Sequence, residues 1–104
     1  MTHIQLQNKF AKKLEKYLDI YFYYKIPDCP GGPLRPFDSF LIYRSAIYVI
    51  EFKVGRDTLK RHQKYFLDKA HTAGATAMLI TDKDNLDDVI VNRITYGGIK
   101  ECLY

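Results

Sequence analysis

Asp38, Glu51 and Lys53 have the types and the spacing of a metal-assisted centre acting on phosphate. Glu51 stands thirteen positions after Asp38, and Lys53 follows two later. The runs that carry them, 37–43 and 46–53, are apolar and separated only by Arg44 and Ser45, which predicts a β-hairpin. The turn lacks the favoured Asn-Gly pair, so the pattern of the flanking runs is what supports it. With Arg44 and Ser45 as the turn, Tyr43 faces Ala46 and Asp38 faces Glu51. Directly opposed side chains share a sheet face at roughly 5 Å between Cβ atoms. Lys53 shares that face by strand parity. Two opposed carboxylates repel unless something neutralises them. A hard divalent cation does so, since Mg²⁺ takes a few carboxylates and fills its shell with water and substrate phosphate. An ammonium beside it stabilises charge building on the nucleophile or the phosphate. Taken one at a time, the same residues also fit a surface acid near a turn and an exposed Glu-Lys pair. The run Ile47-Tyr48-Val49-Ile50-Glu51-Phe52 reads as a central strand, where a charge rarely sits without a role.

The elements that must position these residues follow from the apolar pattern. Residues 4–18 predict a helix with Ile4, Leu6, Phe10, Leu14 and Leu18 on one face and Thr2 as N-cap. Residues 20–26 are rich in strand-favouring aromatics. Three prolines and two glycines make 27–33 a loop. Residues 58–73 predict a second helix, capped by Asp57 or Thr58 and stopped at Gly74. A buried strand at 76–81 and a short acidic helix from about Asn85 to Val91 complete the pattern. The tail with Gly97 and Gly98 gives no clear signal. The strand–helix–strand unit from 46 to 81 requires a parallel pair, so the fold class is α/β: a mixed sheet with helices packed on it.

At 104 residues the chain predicts one domain. Its formal charge of +4 is compatible with a polyanion partner, and the lysines cluster. Arg56, Lys60, Arg61 and Lys64 lie just past the acids, at the start of the second helix, where free backbone amides also attract phosphate. Such contacts give affinity without reading bases. Solvated helix faces explain the same charges. Cys29 and Cys102 have no metal-ligand spacing, and a reduced cytoplasmic chain is the expectation, with one disulfide as the alternative. No apolar run suits a membrane span, and no signal-peptide pattern opens the chain. His3, His62 and His71 lack metal spacing and read as surface or interface residues. Gln63 falls on the apolar stripe of Leu59, Phe66, Leu67 and Ala70; it reads either as a satisfied structural amide or as a group that reaches the site.

Asp38, the segment Ile50-Glu51-Phe52-Lys53, the Gln63-bearing helix and the strand behind Gly74 together resemble the PD-(D/E)XK nuclease superfamily. The nearest likeness is to stand-alone VRR-NUC domains and small Holliday-junction resolvases, over roughly residues 5–82. The resemblance implies a restriction-endonuclease-like core, α-β-β-β-α-β-(α), and a single nuclease domain over 1–104. It implies that Asp38, Glu51 and the backbone carbonyl of Phe52 bind Mg²⁺, for which Mn²⁺ substitutes. It makes Lys53 the catalytic lysine and Gln63 a catalytic partner, and matches Glu15 to an acid that some members use as a further ligand. Read alone, Glu15 beside Lys12 and Lys16 is surface charge. The family's Pro-Asp pair appears as Pro36-Phe37-Asp38, with one residue inserted; the literal Pro27-Asp28 pair lies in the loop, where no hairpin pairing brings it opposite Glu51. The implied activity is a Mg²⁺-dependent endonuclease on branched DNA, working as a homodimer and encoded by a phage or mobile element. The alternatives are a site-specific enzyme of restriction or homing type, and a non-catalytic DNA-binding module. Tyr21, Tyr23, Tyr48 and Tyr65 are candidates for the dimer surface.

Overall fold

A computed structural model describes residues 1–95 of the chain. Helix α1 (His3–Tyr17) leads into strand β1 (Phe22–Lys25) and the hairpin of β2 (Ser39–Tyr43) and β3 (Ala46–Lys53). Helix α2 (Arg61–Thr72), strand β4 (Thr76–Thr81) and a short helix α3 (Leu86–Asp88) follow. The sheet order is β1-β2-β3-β4, with β3 and β4 parallel and the other pairs antiparallel. The α/β class and the mixed sheet follow the sequence pattern. Among the described residues no helix is long and apolar enough to cross a membrane. The tail with Gly97, Gly98 and Cys102, and with it any pairing of Cys102 with Cys29, lies outside the described residues.

Strand parity decides which side chains meet which layer. Tyr48, Ile50 and Phe52 join Leu6, Phe10 and Leu14 of α1 in the larger core. The Phe10 and Phe52 rings meet edge-on, with centroids 5.5 Å apart. Full burial of side chains of this size stabilises the fold by about 1.5–3 kcal/mol each. Val49, on the opposite face, packs with Leu67 of α2 and Ala77 of β4. Glu51 and Lys53 share the face of Val49 by parity, and so emerge on the α2 side at the end of β3.

A capping box sets the start of α1. Thr2 accepts from the Gln5 amide at 3.1 Å, and the Gln5 side chain accepts from the Thr2 amide at 2.8 Å. His3 is thereby held as the first helical residue. The expected apolar stripe needs one correction. Ile4 is exposed, and Gln7 takes a buried place beside Leu6 and Phe10.

Helix α2 starts later than residue 58, and neither Asp57 nor Thr58 caps it. Asp57 uses its carboxylate elsewhere: Oδ1 accepts from the Thr58 amide at 3.0 Å, and Oδ2 lies 3.5 Å from the Lys53 ammonium. Residues 58–60 therefore precede the helix, and Lys60 stands extended at its N-cap. The stop at Gly74 holds, with a positive φ of 117°. The acidic helix at the end runs on past Val91 as a π-helix over Val89–Thr95. Of the tyrosines considered for a dimer surface, Tyr48 lies in the core and Tyr23 is half-buried against it. Tyr48 is 2% exposed and its hydroxyl donates to the Ile94 carbonyl, while Tyr23 donates to Ser39 Oγ. Burial first of all pushes the Tyr23 hydroxyl up to about 12. The exposed apolar side chains of the sheet are Phe22, Tyr24, Ile42 and Ile47.

The hairpin has the register that the two-residue turn dictates, from Tyr43 opposite Ala46 to Ser39 opposite Ile50. Arg44 and Ser45 both take positive φ, 48° and 66°, as a type I′ turn requires. Each non-glycine residue in that region costs about 1 kcal/mol. Arg44 recovers part of this by stacking 4.9 Å above the Tyr43 ring. Replacing the turn by Arg44→Asn with Ser45→Gly is expected to raise the unfolding free energy by about 1 kcal/mol. Urea denaturation with an unchanged slope checks this.

Candidate active site

Asp38 directly precedes β2 and breaks the regular hairpin ladder. Its amide donates at 3.0 Å to the carbonyl of Ile50, the residue that Ser39 faces, so Asp38 and Ser39 both stand against Ile50 and the expected step directly opposite Glu51 is replaced by a bulge. The Asp38 side chain then takes over the ladder's role, as Oδ2 accepts from the Phe52 amide at 2.7 Å. The residue is only 1% exposed. The Arg35 guanidinium forms an ion pair with Oδ1 at 2.7 Å and is anchored to the Ile26 carbonyl at 3.0 Å. That ion pair lacks hydrogen-bond alignment, so buried Oδ1 accepts no hydrogen bond.

Glu51 is 3% exposed. Burial, then the charge of Asp38, then a hydrogen bond to Asp38 push its carboxyl from the ordinary 4.5 up to about 8. Lys53 and Arg35 oppose the shift. Glu51 thus keeps its proton at neutral pH. Gln63 Nε2 donates to Glu51 Oε1 at 3.1 Å, while its own Oε1 accepts from the Lys60 amide at 2.9 Å. The start of α2 therefore fixes which end of the Gln63 amide faces the acid. Gln63 belongs to the site rather than to the apolar stripe of α2. Lys53 is also buried, and its ammonium meets Asp57 at the rim, at 3.5 Å.

A cleft of about 320 Å³ opens over Glu51 and Gln63. Residues 28–35 of the Pro-Gly loop form one wall, and Lys60 and His62 at the start of α2 form the other. Asp28 lies in that loop wall, away from the position opposite Glu51. Lys60, Arg61, Lys64 and Arg56 are all exposed, and Lys60 lines the cleft itself.

Two expectations about individual residues are corrected. Glu15 is exposed on α1, twelve residues from His3, or about 18 Å along the helix axis at 1.5 Å per residue. Its charge acts on the Tyr21 hydroxyl at the far end instead. His3, read as a surface residue, belongs to the site. Its Nε2 lies 3.1 Å from Asp38 Oδ2 and 2.9 Å from the Phe52 carbonyl, and its Nδ1 lies 3.1 Å from the Gln7 amide. The sequence carries no signal for it beyond the helix start that places it. Arg35 was likewise marked only by standing three residues before Asp38.

Among the described residues no three His, Cys, Asp or Glu side chains form a cage for an ion by themselves. The available donors are two buried carboxyls, one with an oxygen that accepts no hydrogen bond, and the Phe52 carbonyl beside them. That set suits a hard cation that keeps several waters. No family model matches the chain, and neither the curated proteins nor the solved structures contain a match to it.

The raised carboxyl has a consequence for stability in the absence of divalent ions. Above pH 4.5 the unfolded chain loses the Glu51 proton, while the folded chain keeps it until about 8. The folded state binds more protons in that window, so stability falls as pH rises through it. Thermal melts in chelator are expected to show Tm decreasing between those limits. Glu51→Gln is expected to flatten this dependence and to melt above the wild type at pH 8. A wild-type Tm that rises with pH across the window contradicts the assignment.

Proposed function

We propose that this chain is a divalent-metal-dependent nuclease of the PD-(D/E)XK type, with a restriction-endonuclease-like core. The observation that carries the reading is the buried pair of Asp38 and Glu51 at the end of the hairpin, close enough for the Asp38 charge to raise the Glu51 carboxyl, with a cleft over Glu51 that Arg35 and Lys60 line. Two buried carboxyls at the end of a sheet are costly as a structural element and useful as a cation site. In this reading Asp38, Glu51 and the Phe52 carbonyl hold Mg²⁺, or Mn²⁺ in its place. The ion supplies a lowered water pKa and neutralises charge on the phosphate.

The protein's own groups do the rest. Lys53 donates to the attacking water or to a non-bridging phosphate oxygen as charge builds there. Its burial keeps the ammonium poorly solvated and ready to exchange Asp57 for substrate. Gln63 holds Glu51 in place and aligns the nucleophile. Lys60, Arg61, Lys64 and Arg56 bind the DNA backbone flanking the scissile phosphate. The products are a 5′-phosphate and a 3′-hydroxyl, as the family resemblance implies.

We further propose a homodimer acting on branched DNA in the cytoplasm. The small size of the domain and the exposed side chains Phe22, Tyr24, Ile42 and Ile47 support a paired assembly. Size also favours structure selection over sequence reading, since little of the chain remains for contacts to bases.

Incubation of the purified chain with labelled four-way junction, duplex and single-stranded DNA, with Mg²⁺ or chelator, tests the reading. Cleavage of the junction that requires the ion is expected. Asp38→Ala and Glu51→Ala are expected to abolish it, and Lys53→Ala to slow it by about 10²-fold or more. Glu15→Ala is expected to leave the rate unchanged. Lys60→Ala and Arg61→Ala are expected to weaken binding and to lower the salt slope by about one each. Defined fragments from one duplex sequence alone favour a site-specific enzyme. Binding without cleavage in any ion favours the non-catalytic module.

A further inference from the structure

We propose that His3 supplies a nitrogen ligand to the same ion, and that this makes the centre select a first-row transition ion such as Mn²⁺ over Mg²⁺. The inference rests on the metal-site reading and adds a ligand outside the Asp38, Glu51 and Phe52 set.

Three donor atoms from three parts of the chain converge. His3 Nε2 stands 2.9 Å from the Phe52 carbonyl oxygen and 3.1 Å from Asp38 Oδ2. Neighbouring ligands on an octahedral ion with 2.1 Å bonds stand about 3.0 Å apart. His3 Nε2 thus already stands at the spacing of an adjacent ligand position from each of the two oxygens. Without the ion, a single N–H on Nε2 serves two acceptors at once. This is how a ligand cluster holds itself together when a proton stands in for the cation.

The ring is pre-positioned for the exchange. The capping box fixes His3 as the first residue of α1. Phe52 packs edge-on against the imidazole, with centroids 6.3 Å apart. The side chain remains 33% exposed, so an ion and its waters can reach it. Gln7 is buried behind the ring and meets Nδ1 at 3.1 Å. With its amide nitrogen toward Nδ1, the ring proton sits on Nε2 and donates to Asp38 and Phe52. With the amide turned over, Gln7 Oε1 accepts a proton from Nδ1, and the Nε2 lone pair is free for an ion. A glutamine is suited to this position because it is donor and acceptor in one side chain.

The choice of ion follows from donor type. Carboxylates, carbonyls and water suit Mg²⁺, whereas imidazole nitrogen adds more to first-row transition ions than to Mg²⁺. A centre with two carboxylates, a carbonyl and one imidazole is therefore weighted toward Mn²⁺.

Pulsed electron paramagnetic resonance of Mn²⁺ bound to the DNA-free protein tests the ligand directly. A directly coordinated histidine nitrogen coupling is expected in the wild type and is expected to vanish in His3→Ala. Calorimetry should show His3→Ala losing about tenfold or more in Mn²⁺ affinity, with a much smaller change for Mg²⁺. Gln7→Ala should weaken Mn²⁺ while keeping the nitrogen coupling. A wild-type spectrum with no nitrogen coupling overturns the proposal, as do equal losses for the two ions in His3→Ala, or no bound ion. The wild-type spectrum decides even if a variant fails to fold. Nitrogen coupling in a protein that cuts no DNA leaves this inference standing and sinks the nuclease reading. Cleavage by a protein whose Mn²⁺ shows no nitrogen does the reverse.

Discussion

Two neighbouring carboxyl groups at the end of a hairpin, both sealed from water, set the terms for the rest of this structure. Asp38 and Glu51 are 1% and 3% exposed, and burial, then the Asp38 charge, push the Glu51 carboxyl up to about 8. Neighbouring side chains answer that charge. Arg35 comes down from the loop to Asp38, His3 arrives from the start of α1, and Gln63 arrives from the first turn of α2. The Phe52 amide turns from the ladder to the Asp38 carboxylate. Remove the acids and none of these four contacts has a purpose in the sheet.

The fold is arranged so that two helix starts and one loop meet at this end of the sheet. Helix α1 brings an imidazole, and α2 brings an amide held by its own first backbone donor. The Pro-Gly loop closes one wall of the cleft and contributes Arg35. The opposite end of the hairpin carries only the Arg44-Ser45 turn, where backbone strain is tolerated. Lys53 is the exception within the cluster. It is buried among charges, yet its only partner among the described residues is a rim aspartate 3.5 Å away. In the nuclease reading that loose tether leaves the ammonium free to turn toward substrate.

The parts of this arrangement that were legible in the sequence are those fixed by local geometry. A two-residue gap sets the hairpin register from Tyr43 opposite Ala46 to Ser39 opposite Ile50, and the bulge that then turns Asp38 onto Ile50 has no local signal. Strand parity then places Lys53. Glycine at position 74 ends α2 where a positive φ is needed. The contacts that could not be read are tertiary. His3 and Gln7 enter the site only because α1 crosses the sheet at one particular height. Arg35 enters because the loop doubles back to the Ile26 carbonyl. Glu15, which the resemblance matched to a ligand, is carried away from His3 by about three turns of helix. The start of α2 shifted because Asp57 serves Lys53 and its own local turn rather than the helix end.

The central claim is that the Asp38–Glu51 pair is a cation site holding a proton in the ion's absence, and crystals grown with Mn²⁺ test it most directly. The account predicts an anomalous peak within bonding distance of both carboxylates and of the Phe52 carbonyl. A structure at saturating Mn²⁺ that shows the ion elsewhere would contradict it.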